Sequence, residues 1–127
     1  MSEVFQKATL DLNAARSELH DLLSLTGAEV SLNNLPAGAA VPFVHAHKQN
    51  EEVYIVLSGS GELYIDGKVE SLKAGDVFRI APQGRRAIRA AAADGIKFLC
   101  IQCAQNSLKE YTDTDGVMCE NEKAPWH

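Results

Sequence analysis

From Ala28 to Ala104 the chain is cut into short apolar-rich segments by closely spaced turn signals. No other feature restricts the fold as much. The signals are Pro36-Ala-Gly38, Gln49-Asn50, Ser58-Gly-Ser-Gly61, Asp66-Gly67, Lys73-Ala-Gly-Asp76, Ala81-Pro-Gln-Gly84 and Ala93-Asp-Gly95. Glycine and asparagine reach backbone angles closed to other residues, and proline removes a donor, so such clusters end regular structure. The pieces between them are too short for stable helices but long enough for strands. Ala28–Leu35 alternates Val30 and Leu32 against Glu29, Ser31 and Asn33. Further strands are expected at 53–57, 62–66, 68–72, 77–80, 87–91 and 97–103, with Asp66-Gly67 as a hairpin turn. About eight short strands with turns every eight to twelve residues or so imply an all-β sandwich or closed barrel. Val53–Leu57 is apolar on both faces, so its outer face needs a cover, either the N-terminal helix or another subunit.

The ends read differently. Residues 1–12 are an extended arm. Asn13–Leu25 reads as one short helix, with Leu19, Leu22 and Leu23 at helical spacing, Asn13 as N-cap and Thr26-Gly27 as the stop. The organisation expected is an arm and helix over 1–27, a barrel over 28–104, and a polar tail over 105–127 that packs on or near the barrel. His20 and His127 have no partner motif. The formal charge of −5 argues against a nucleic-acid partner or an anionic membrane surface. No apolar run approaches the roughly 20 residues of a membrane span. Three cysteines in no pairing pattern point to free thiols and a cytoplasmic setting. Cys100 and Cys103 are three apart, which on a strand turns them to opposite faces.

The chemistry concentrates in Gly38–Gly59. His45 and His47 are spaced i, i+2, so on a strand both rings leave the same face. Glu51 and Glu52 follow. Two imidazoles and a carboxylate form a three-ligand metal site with open coordination positions. The same residues also suit a hydrogen-bonded polar patch on a half-exposed strand.

The pattern resembles the cupins. Their first motif has a glycine, His-x-His, a glutamate and, after six intervening residues, a second glycine. Gly38, His45, His47, Glu52 and Gly59 match it, with one extra residue after Gly38. The second motif has a glycine, Pro-x-Gly and, after two intervening residues, a histidine. Gly75, Pro82 and Gly84 match, again with an extra residue, but Ala87 stands at the histidine position and Ala91 at a later asparagine. The resemblance implies a double-stranded β-helix, or jelly-roll barrel. It also implies one divalent metal ion on His45, His47 and Glu52, with iron, zinc, nickel and manganese not distinguished, and a homodimer. A methyl group at 87 cannot ligate, so the ion would keep waters, find another ligand, or not bind.

Other pocket residues are expected by parity and barrel geometry. Phe43 and Tyr54 follow from His45 and Glu52, and Gln102 from its late strand. Arg89 shares parity with Ala87 and is expected to pair with an anionic group of a substrate, while Arg86 is expected on a solvated turn. Glu51 faces outward. The reading that follows is a metal-binding cupin with a small-molecule pocket, an oxygenase or isomerase. Its competitor is a non-catalytic binding or sensing module.

Overall fold

The computed structural model describes residues 4–127. Among the described residues there are seven strands: β1 (Arg16–Glu18), β2 (Glu29–Leu35), β3 (Asn50–Ile65), β4 (Lys68–Lys73), β5 (Val77–Ile80), β6 (Arg86–Ala90) and β7 (Ile96–Ala104). All named pairings are antiparallel.

β3 joins two sheets. Its first half lies between β7 and β5, with β2 and β1 beyond β7. Its second half lies between β4 and β6. The segment carrying His45 flanks β6 through single bridges at Ala40 and His45. It is therefore an irregular edge of the second sheet, where a regular strand was expected. The two sheets close over Tyr54, Val56, Leu63, Leu72, Ile80, Ile88, Ala90, Ile96, Phe98 and Cys100. This is the barrel expected from the turn spacing, with the jelly-roll form that the resemblance implies.

The glycines of Ser58–Gly61 do not make a turn. β3 runs straight through them, with a register shift against β7 between Val56 and Ser58. The physical reason is close backbone approach. A β-carbon on Gly59 would lie 1.8 Å from the Gly95 carbonyl oxygen, and one on Gly61 2.2 Å from that of Arg89. Gly59 also has φ +79°. Bare backbone lets one strand pass between the sheets where side chains would collide. Asp66-Gly67 is the hairpin turn, with φ positive at both residues.

The helix expected over 13–25 shrinks to the single turn α1 (His20–Leu23), closed by Ser24 at φ 55°. Tertiary pairing takes the preceding residues: Arg16, Ser17 and Glu18 pair with Asn33, Leu32 and Ser31. Asn13 does not cap α1. Glu29 of β2 instead accepts hydrogen bonds from the Leu19 and His20 amides. Outside the barrel the tail carries a short 3-10 turn, Thr112–Thr114.

Candidate metal centre

Strand parity decides which side chains reach the interior. On the first half of β3 the buried residues are Glu52, Tyr54 and Val56. Glu51 turns outward, where its carboxylate accepts from Arg79 Nε at 2.7 Å. Cys100 on β7 sits opposite Tyr54 and faces the same interior. His45 exchanges both backbone hydrogen bonds with Arg86, which sets its ring at the inner end of the barrel. His47 is held by its amide, which donates to the Pro82 carbonyl at 2.8 Å.

These elements bring His45, His47 and Glu52 together, with donor atoms all within 4.8 Å of one another. The carboxylate is buried and fixed. Tyr54 donates its hydroxyl to Oε1 at 3.2 Å, and the Cys100 thiol donates to Oε2 at 3.3 Å. His47 Nε2 lies 3.2 Å from Oε2 without hydrogen-bond geometry. That nitrogen and His45 Nδ1 are both buried and have no hydrogen-bond partner. Unpartnered buried nitrogens are costly unless something accepts their lone pairs or protons. A metal ion does the former, and two imidazoles with a carboxylate suit a first-row divalent ion. The residues therefore fit the metal the sequence implies.

The surroundings shift several protons. Burial, with Arg86 and His47 nearby, lowers the His45 pKa below 6.5, against the opposing pull of Glu52. A neutral imidazole is the form that ligates. Burial first, and the charge of Glu52 second, push the Cys100 thiol up to about 12, and burial raises Tyr54 well above the ordinary phenol value. Both groups stay protonated and act as donors to Glu52. A carboxylate held this way is oriented for its ligand role.

The site opens into a cavity of about 540 Å³, and its lining includes Phe43, His45, His47, Glu52, Tyr54 and Gln102. Phe43 stands at the mouth, 58% exposed, its ring edge-on to His45 at 5.6 Å. Gln102 accepts a hydrogen bond from Asn50 at 3.0 Å.

Arg89 does not belong to this cavity. It lies opposite Glu62 on the outer face of the second sheet and donates Nε to that carboxylate at 2.7 Å. Ala87 lies on the same outer face, opposite Tyr64. Arg86, expected in solvent, is 1% exposed and lines the cavity. The inward residues of β6 are Arg86, Ile88 and Ala90. A shift of one residue reverses every side chain of a strand, and the extra residue after Gly75 hides that shift in the sequence. The corner expected to hold the histidine of the second motif thus holds a guanidinium. Its Nε is 3.6 Å from Glu52 Oε1.

Comparison with known proteins agrees with this architecture. The family model described as a cupin domain matches residues 31–102, more than half of the chain. The chain is a cupin. A solved cupin protein from Bacteroides fragilis is 58% identical, with a TM-score of 0.88, over 93% of this chain and 98% of that one. A Cupin 2 conserved barrel domain protein from Salinispora arenicola shares the fold at 18% identity and TM-score 0.68, over 80% and 90%. A predicted oxalate decarboxylase from Thermotoga maritima is 27% identical, with a TM-score of 0.54, over 61% of this cupin and 64% of that chain. A search of curated proteins finds no match. No helix among the described residues of this cupin is long and apolar enough to cross a membrane.

Proposed function

We propose that this cupin holds one divalent metal ion on His45, His47 and Glu52 and uses it to act on a small organic molecule in the adjoining cavity. The observation that carries this reading is the pair of buried ring nitrogens, His45 Nδ1 and His47 Nε2, left without partners beside a carboxylate fixed by Tyr54 and Cys100. The bound ion would supply Lewis acidity or oxygen activation at positions that no protein group fills. Tyr54 and Cys100 hold the Glu52 carboxylate in place. Val41, Ile88 and Phe98 keep the inner cavity largely apolar, and Phe43 narrows its mouth. Metal-dependent oxygenation or isomerisation fits such a centre.

A non-catalytic binding or sensing module is the second reading. It is favoured by Arg86, which stands where a further metal ligand was expected and leaves the ion only three protein ligands. A homodimer is part of the proposal, because Leu57 and Val77 are 47% and 66% exposed on the outer side of their sheet. The free thiols suit a cytoplasmic setting.

Elemental mass spectrometry of protein purified without an affinity tag tests the metal. The expected result is close to one equivalent of iron, zinc, nickel or manganese, lost in His47→Ala. A protein that carries no metal and takes up none of these ions when they are added would overturn the reading in favour of the binding module.

A further inference from the structure

Arg86 is the least explained polar side chain of the interior. It is 1% exposed. Its Nη2 donates to the Ala81 carbonyl at 3.2 Å. Its Nε faces Glu52 at 3.6 Å without forming a hydrogen bond, and Nη1 has no partner at all. A guanidinium carries five donors and keeps its charge at every ordinary pH. Burying one with most of its donors unused is expensive. A structural ion pair with Glu52 would not account for Nη1, and Glu52 already accepts from Tyr54 and Cys100.

The charge of the cavity points the same way. In a protein of net charge −5, the cavity lining holds two arginines, Arg16 and Arg86, against one acidic residue, Glu52. Arg16 sits at the rim with partners of its own, Glu18 through Nε and Asn33 through Nη1. Arg86 is deep and open-handed. Next to it the wall turns apolar, with Val41, Ile88 and Phe98.

We propose that Arg86 is a substrate-binding residue whose Nη1 receives the carboxylate of a small organic acid, with the carbon skeleton of the acid lying along the apolar wall. The contact is a charge-assisted hydrogen bond to a guanidinium that is 1% exposed, and such bonds are strong where little water competes. A carboxylate there lies beside the metal centre, so the acid would reach an open coordination position of the ion. In that respect the inference rests on the metal reading above and names its substrate class. A monoanion suits the corner better than a phosphate dianion, because the buried Glu52 carboxylate is already there and further negative charge would face it.

The test uses acetate, the smallest alkyl carboxylate, and acetamide, its uncharged counterpart. Cobalt-substituted protein is titrated with each, and binding is read from the visible spectrum of the ion. Acetate is expected to bind and acetamide not to. Arg86→Gln should weaken acetate at least tenfold while retaining cobalt, and Arg89→Gln should leave acetate binding unchanged. Equal binding of acetate in wild type and folded Arg86→Gln would overturn the proposal. So would tighter binding of inorganic phosphate than of acetate, or no discrimination between acetate and acetamide. Nitrogen-15 NMR of the arginine Nε–H groups in metal-free wild type requires neither metal nor a folded variant. An acetate-dependent shift of the Arg86 signal, with Arg89 unmoved, supports the anion site even if cobalt is refused and the metal reading falls. An unmoved Arg86 signal overturns it even if cobalt binds.

Discussion

Replacing Glu52 with glutamine isolates the electrostatics of the site. Glu52 and Arg86 are 4% and 1% exposed, and Oε1 lies 3.6 Å from Nε. At an effective dielectric of about 20, their attraction at that distance is about 4–5 kcal/mol. Glutamine keeps the shape, and its carbonyl oxygen can still accept from Tyr54 or Cys100 while its amide group faces the other, so packing changes little. What changes is that Arg86 becomes a buried charge with no counter-charge, a change that costs about 3–5 kcal/mol in comparable pairs. Urea denaturation of metal-free protein at pH 7, followed by circular dichroism, should show a loss in that range. Glu62→Gln is the control, since its partner Arg89 is in solvent with 63% of its side chain exposed; an exposed pair is worth about 0–1 kcal/mol. The double variant Glu52→Gln/Arg86→Met removes both charges and should recover at least about 1 kcal/mol relative to Glu52→Gln alone. If Glu52→Gln costs no more than Glu62→Gln, the buried pair is not the electrostatic anchor described here.

Two further outcomes follow from the backbone and from His45. Gly59→Ala should cost more than about 3 kcal/mol, because it adds a contact of 1.8 Å to positive-φ strain, whereas Gly67→Ala, at φ +87° but with open space around it, should cost about 1–2 kcal/mol; equal losses in denaturation would refute the close-approach account of β3. In metal-free protein, imidazole NMR should place the His45 pKa below 6.5, since burial opposes its charged form. Between the folded and unfolded values the unfolded chain binds more protons, so the contribution of His45 to stability is complete above pH 6.5 and is lost as the pH falls through the folded value. Metal uptake should weaken over the same acid range, and a His45 titration at or above 6.5 would contradict the burial argument.

Much of the barrel and half of the site are local properties of the chain. Alternation fixes Glu52, Tyr54 and Val56 on one face whatever surrounds them, and Asp66-Gly67 closes its hairpin by backbone preference alone. His45 and His47 could be named as candidate ligands from their spacing, although their segment is an irregular edge and it is the backbone bonds to Arg86 and Pro82 that hold them at the site. The tertiary structure decided the rest, wherever the outcome depended on residues distant in sequence. The leucines of 19–23 are compatible with a longer helix, but β2 recruits residues 16–18 as a strand and Glu29 caps what remains. Ser58–Gly61 reads locally as a turn. Only the nearness of Gly95 and Arg89 shows that its glycines are there to let a strand pass. The exchange of Arg89 for Arg86 has the same cause. Parity orders the residues within a strand, but which parity faces inward is set by the partner strand and its register, here Glu62 opposite Arg89 and His45 opposite Arg86. A charged residue is a plausible surface residue in any sequence, and a buried one is stable only through partners that folding brings to it. For Arg86 that partner is Glu52, on another strand.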